Sequence, residues 1–142
     1  MSRASRWTLI VALTSAVALG LGLPPAAQWV GLRADPEAYR ILTLNVPTEL
    51  RAGEEYVFIA GIAAAPGAIR TVMRICPTDT AGAPCRFQRR RNFTANSRPT
   101  WRSLGAAKLS PGTYRGHVTL LAETRLGAFR TVATQSWDLH VR

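Results

Sequence analysis

The sequence has almost no lysine, and it is poor in acidic residues, cysteine and histidine. Of its 18 basic residues only Lys108 is a lysine, against 8 acidic residues, 2 cysteines and 2 histidines. Metal centres need clusters of such ligands, and none is spaced to form one. There is also no Cys-x-x-Cys, no Cys-x-x-Cys-His and no carboxylate pair spaced for acid–base work. We therefore expect a protein that is not an enzyme and that holds no cofactor.

Arginine is instead abundant, and it gives the chain a formal net charge of +10. A GC-rich genome favours codons for arginine, alanine, glycine and proline, so codon usage explains this excess as readily as a functional positive surface does. Net charge bears on association with acidic partners and says nothing about fold. Both explanations stay open at this point.

A long uncharged run stands near the N-terminus. Residues 1–6 carry two arginines and no acid, and residues 7–23 contain no charge before Pro24 and Pro25. At about 1.5 Å per residue, a helix over this run spans roughly 26 Å, and extension to Val30 lets it cross a hydrocarbon core of about 30 Å. The run is either a cleaved signal peptide or a signal anchor. The best cleavage site, after Ala27, is poor because Pro25 lies at position −3, which favours the anchor.

The run is apolar on every face, whereas a surface helix of a soluble protein has one apolar stripe. We predict a transmembrane helix over residues 1–30 that contacts membrane lipid. The basic end should stay in the cytoplasm by the positive-inside rule, which makes the chain a single-pass inner-membrane protein with a periplasmic C-terminal domain. The anchor residues are Trp7, Ile10, Val11, Leu13, Val17, Leu19, Leu21, Leu23 and Trp29.

The rest of the chain is patterned as strands. Residues 31–39 are polar and rich in turn formers, and we interpret them as a linker. Residues 40–46 then alternate, with Leu42, Leu44 and Val46 on one face, as in a half-buried strand. Further strands are predicted over residues 55–62, 69–76, 85–93, 101–109, 114–122 and 129–141. Together they form one domain over residues 40–142, of the usual size for a single core.

A Pro-Gly turn delivers Tyr114 into an alternating strand. The run Leu109-Ser110-Pro111-Gly112-Thr113-Tyr114 resembles the L-x-P-G-x-Y start of a late strand in immunoglobulin-like and fibronectin-type-III-like sandwiches. The resemblance implies an all-β, seven-stranded antiparallel immunoglobulin-like sandwich, in which the Tyr114 hydroxyl bonds to nearby backbone. It implies no function, since such folds serve many. In the last strand we expect an inner face of Phe129, Thr131, Ala133, Trp137, Leu139 and Val141.

Cys76 and Cys85 enclose residues 77–84, which are rich in turn formers. In an exported domain we expect them to form a disulfide that closes a hairpin loop. His117 and His140 fall on the outer faces of their predicted strands, and we interpret both as ordinary surface residues because nothing pairs with them.

Residues 86–93 form the most basic segment. Arginines 89, 90 and 91 must project on both faces of a strand, so the segment should be an edge strand, where charge discourages edge-to-edge aggregation. The alternative is a docking surface, in which guanidinium groups pair with acidic side chains or lipid phosphates. Its candidate residues are Arg86, Phe87, Arg89, Arg90, Arg91, Phe93, Arg98 and Arg102. Inside a cell such a cluster would suggest nucleic acid, but the predicted compartment argues against that partner.

These expectations favour a structural function. The chain would be a membrane-anchored accessory subunit that packs, from the periplasmic side, on acidic surfaces of a larger respiratory, photosynthetic or export complex. The alternative is an envelope binding module that recognises anionic glycan or lipid head groups. No small-molecule substrate is expected.

Overall fold

The computed structural model describes residues 31–32 and 34–142, and the predicted anchor over residues 1–30, with all its named residues, lies outside them. The regular secondary structure of the described chain is β-strand, apart from one short 3-10 helix at Pro36–Ala38. No helix in this part is long and apolar enough to cross a bilayer. The strands are β1 (Arg40–Asn45), β2 (Glu49–Leu50), β3 (Tyr56–Ala63), β4 (Gly67–Pro77), β5 (Phe87–Ala95), β6 (Thr100–Ala107), β7 (Gly112–Glu123) and β8 (Phe129–Val141).

The strands form two sheets, with orders β1-β3-β6 and β2-β8-β7-β4-β5. All seven predicted strands are present, and every pair among them is antiparallel. One additional strand, β2, was not predicted, and it pairs in parallel with β8. The chain passes Pro47, leaves the three-stranded sheet after β1 and reaches the edge of the five-stranded sheet. A two-residue strand is too short to show an alternating pattern, which is why the sequence did not reveal it.

The core lies between the two sheets. Its fully buried side chains alternate along the central strands, as period-2 patterning requires, with Phe58 from β3, Met73 from β4 and Val118 from β7. Two residues of the predicted linker also pack there, since Leu32 is 8% exposed and Tyr39 is 4% exposed. Leu32 forms an isolated bridge with Thr124.

Two β-bulges change the predicted faces. In β1 the register shifts between Ile41 and Thr43, so that Ile41 and Leu44 pack on the core and Leu42 is 50% exposed. The prediction that Leu42 faces inward is therefore wrong, because an extra residue in one strand reverses the alternation beyond it.

The bulge in β8 has the same effect on the last strand. The register shifts between Leu120 and Leu121 of β7, and Val132 is the unpaired residue. Thr131 is consequently exposed, and the Phe129 ring lies against Arg70 on the outer face. The inward placement predicted for Phe129 and Thr131 is wrong for this reason. Beyond the bulge the prediction holds: Ala133 and Trp137 pack against the core, and Leu139 and Val141 are buried in it.

Two local predictions are confirmed. The Tyr114 hydroxyl donates a hydrogen bond of 2.8 Å to the backbone carbonyl of Ser110. Cys76, near the end of β4, and Cys85, just before β5, form a disulfide. The disulfide closes the loop between these two strands, so it holds β5 at the edge of the five-stranded sheet.

Candidate functional site

The basic segment forms β5, an edge strand as predicted, which pairs only with β4. Residues in register on neighbouring strands share a face. Arg89 and Arg91 are paired with the buried Met73 and Thr71, so they lie on the inner side of the sheet. Arg90 is paired with Val72 on the outer face. The candidate docking residues are therefore divided between two surfaces.

The β5 residues on the inner side of the five-stranded sheet lie opposite β6, the edge strand of the other sheet. The aliphatic part of Arg89 lies over Gly105, where Arg89 Cγ is 3.0 Å from the position that a Cβ would take. Gly105 has a φ of +132°, which further favours glycine there. Arg89 is exposed as a whole, but its carbon stem covers the backbone at Gly105, as long cationic side chains commonly do.

Two arginine–aromatic contacts close this side of the sandwich. The Arg102 guanidinium lies over the Phe93 ring at 4.9 Å, and the Arg89 guanidinium lies 5.8 Å from the Phe87 ring centroid. Arg102 Nε is buried and has no hydrogen-bond partner in the described part of the chain. These two contacts therefore pack β5 against β6, and cation–π attraction stabilises them. The residues involved are Phe87, Arg89, Phe93 and Arg102.

The remaining candidates are exposed. Arg86 lies immediately before β5, where its backbone N–H donates to the Ile75 carbonyl. Arg98 lies in the turn before β6, and its exposed side chain makes no hydrogen bond or ion pair with any described residue. Arg86, Arg90 and Arg91 likewise have no carboxylate within salt-bridge distance among residues 31–32 and 34–142. These four guanidinium groups are available to a partner.

A shallow groove crosses the outer face of the five-stranded sheet, with a volume of about 590 Å³. Strand register aligns its residues in rows, one of which runs from Gln88 through Arg74 to His117 and Ser136. The next row runs from Arg90 through Val72 to Thr119 and Thr134. The lining contains no carboxylate and consists of Val72, Arg74, Cys76, Cys85, Gln88, Arg90, His117, Thr119, Leu121, Thr131 and Thr134.

The arginines of this outer face fall into two kinds. Arg70 donates from Nε to the Asn92 side-chain oxygen at 2.7 Å and lies 3.9 Å over the Phe129 ring. Arg115 pairs with Asp138 at 2.9 Å. Arg74 and Arg90 make no such contact with any described residue, although they are diagonal neighbours on adjacent strands. The groove therefore has two positive charges that the fold leaves without a partner.

His117 lies beside Arg74 in strand register. Its Nδ1 is 2.8 Å from the Ser136 hydroxyl, and this hydrogen bond orients the ring. No sequence pattern grouped His117 with Arg74, because these two residues are far apart in the chain. Residues 70, 72 and 74 share one face of β4, and this spacing could have predicted that Arg70 and Arg74 lie on the outer face. His140, paired with Glu49, is exposed as expected.

No protein-family model matches this chain, and no curated protein matches it. Among residues 31–32 and 34–142, no group of three or more His, Cys, Asp or Glu side chains is arranged to hold a metal ion. The function of the groove has to be inferred from its side chains. Guanidinium, imidazole, amide and hydroxyl groups surround the apolar side chains of Val72 and Leu121.

Proposed function

We propose that this chain is a non-enzymatic accessory subunit, anchored in the inner membrane by residues 1–30, whose β-domain packs on a larger membrane protein complex from the periplasmic side. A respiratory, photosynthetic or export complex with acidic surfaces would be a suitable partner. We also propose that the domain is an immunoglobulin-like sandwich. The sheet orders and the Tyr114 hydrogen bond at the start of β7 support that fold.

The observation that carries the proposed function is the set of exposed, unpartnered guanidinium groups on the two faces of β5 and at its start. Arg86, Arg90 and Arg91 project from one edge of a sheet, and no described carboxylate neutralises them. Forked guanidinium groups bind carboxylates through two parallel hydrogen bonds, and pairs that become desolvated at an interface are stronger than exposed pairs. An acidic protein surface is the partner that this edge fits.

Two further features agree with an extracytoplasmic domain. The disulfide between Cys76 and Cys85 is the kind of bond that persists in oxidising compartments. The charge placement at β5 would also keep an exposed sheet edge from pairing with other strands during export.

The test is co-purification of the full-length tagged chain in mild detergent. We expect stoichiometric partners, and a chain that runs alone as a monomer would refute the proposal. Replacing Arg86, Arg90 and Arg91 with Ser should release those partners without unfolding the domain. Arg89 is left intact because its stem packs on Gly105.

A matched control removes the same amount of charge elsewhere. Arg51, Lys108 and Arg125 are all exposed and lie outside β5. Replacing these three with Ser should leave the partners bound. If both triple variants released them equally, general charge and not the β5 edge would be responsible.

A second candidate function is an envelope binding module for anionic glycan or lipid head groups. The groove between Arg74 and Arg90 favours it, because two unpartnered cations with flanking hydroxyls suit an anionic group. Salt-sensitive binding of the purified chain to anionic vesicles, with no protein partner present, would support this function. Equal binding to neutral vesicles would exclude it.

A further inference from the structure

We propose that the outer groove of the five-stranded sheet is a binding site for a phosphate or sulfate group, held between Arg74 and Arg90. The inference deepens the second function above and rests on it only for the biological source of the ligand. It does not depend on the docking role of the β5 edge, although Arg90 belongs to both surfaces.

The two guanidinium groups are placed to share one anion. Arg74 is paired with Gln88, and Arg90 follows two residues later on the same strand, so the two arginines are diagonal neighbours. Diagonal neighbours on one sheet face are about 7–8 Å apart at their backbones, within reach of long side chains. Both guanidinium groups can therefore approach a ligand that lies over Val72, between the two strands.

The number of donors favours a tetrahedral oxyanion over a carboxylate. A carboxylate has two oxygens, and one forked guanidinium satisfies it. Here two guanidiniums are accompanied by the Gln88 amide and by the hydroxyls of Thr119 and Thr134. Phosphate and sulfate groups have three or four oxygens and more negative charge, so they can accept from several of these donors at once.

His117 adds a ring nitrogen to these groups. Its Nδ1 is engaged by the Ser136 hydroxyl at 2.8 Å, and the ring makes no other hydrogen bond with a described residue. Nε2 therefore stays available at the groove, beside Arg74 in strand register. The neighbouring Arg70 and Arg115 do not compete for the ligand, because Asn92 and Asp138 already occupy them.

The test is an NMR titration of the full-length chain in zwitterionic micelles, following the side-chain Nε–H signals of the arginines. Inorganic phosphate and sulfate are added at constant ionic strength. We expect saturable shifts of the Arg74 and Arg90 signals and little change at Arg70. Acetate should bind at least about tenfold more weakly than phosphate, because it lacks the additional oxygens.

Variants separate a site from general charge attraction. The double variant Arg74→Gln with Arg90→Gln should weaken phosphate binding by about tenfold or more. The control double variant Arg51→Gln with Arg125→Gln has the same net charge and should bind as the unmodified chain does. The proposal is overturned if phosphate shifts all arginine signals alike, if acetate matches phosphate, or if the two double variants behave equally.

A last comparison identifies the source of the ligand. The chain is placed in nanodiscs of phosphatidylcholine, with or without phosphatidic acid. Shifts of Arg74 and Arg90 that depend on phosphatidic acid would assign the site to a lipid head group. Shifts only with the added inorganic ions would support the site and assign it to a soluble or glycan-borne ligand. The co-purification experiment above also replaces Arg90, so its independent form is Arg86→Ser with Arg91→Ser, which leaves Arg74 and Arg90 of the groove in place.

Discussion

Gly116 and Trp137 are register partners on β7 and β8, and their packing makes a quantitative prediction. The indole lies directly over Gly116 on the inner face of the sheet, and its ring centroid is 5.9 Å from that of Phe58. A Cβ built on Gly116 would clash with the Cε2 and Cζ2 atoms of the indole. Trp137 Nε1 is buried and has no hydrogen-bond partner in the described part of the chain, so packing alone holds the ring.

Gly116→Ala must therefore displace the indole. Inserting an extra carbon into a packed core costs about 1–3 kcal/mol, because side chains leave their preferred rotamers. Replacing glycine restricts the unfolded chain and returns about 0.4–1 kcal/mol. We expect a net loss of about 1–2 kcal/mol in the free energy of unfolding. Urea denaturation of the full-length chain in neutral detergent, followed by circular dichroism, measures it.

Gly61 provides a matched control. It is also a strand glycine covered by a tryptophan, but a Cβ there would meet Trp101 Cζ3 at 3.7 Å, an ordinary contact. Gly61→Ala should therefore be neutral or stabilising by up to about 1 kcal/mol. If both alanine variants had the same effect, the distance between the added carbon and the indole would not be the deciding quantity.

A double-mutant cycle identifies the cause. Trp137→Leu removes the indole and should itself destabilise the domain, since it leaves a cavity beside Phe58. In that background Gly116→Ala should cost almost nothing, which corresponds to a coupling energy of about 1–2 kcal/mol. A loss that persisted without the indole would refute the steric explanation.

Three further stability predictions use the same denaturation assay. Tyr114→Phe removes one partly buried hydrogen bond and should cost about 1–2 kcal/mol, whereas no loss would show that the Ser110 contact is incidental. Replacing Cys76 and Cys85 with Ala should cost about 2.6 kcal/mol from chain entropy at their separation of 9 residues, and reduced unmodified protein should match that variant. Leu42→Ser should cost less than about 0.5 kcal/mol and Leu44→Ser more than about 1 kcal/mol, whereas similar costs would be expected if β1 had no bulge and both residues shared one face.

Much of the fold could be predicted because its strands obey simple rules. The period-2 pattern of β7, with Tyr114 and Val118 inward and Arg115 outward, survives unchanged in the structure. The three errors of face, at Leu42, Phe129 and Thr131, all arise at bulges. A bulge adds one residue without altering the local composition, so an alternating pattern cannot reveal where it occurs.

The candidate site was less predictable than the fold. Because successive side chains of a strand point to opposite faces, the consecutive arginines of β5 were predicted to lie on both faces, and they do. It could not show which residues of other strands would join each face. The groove depends on the register that aligns Arg90 with Thr119 through Val72, and this is a long-range property of the folded sheet. The packing of Arg89 on Gly105 likewise depends on how the two sheets meet.

The placement of arginines also bears on whether their excess reflects codon usage alone. Arg74 and Arg90 are like charges at diagonal positions, an arrangement that opposes sheet stability. A compositional bias gives no reason to place two unpartnered cations together, whereas anion binding does. Replacing either with Gln should therefore leave stability unchanged or slightly raised while anion binding falls, as is common at functional sites. If both replacements destabilised the domain, the two side chains would have a structural role, and the groove would lose its strongest support.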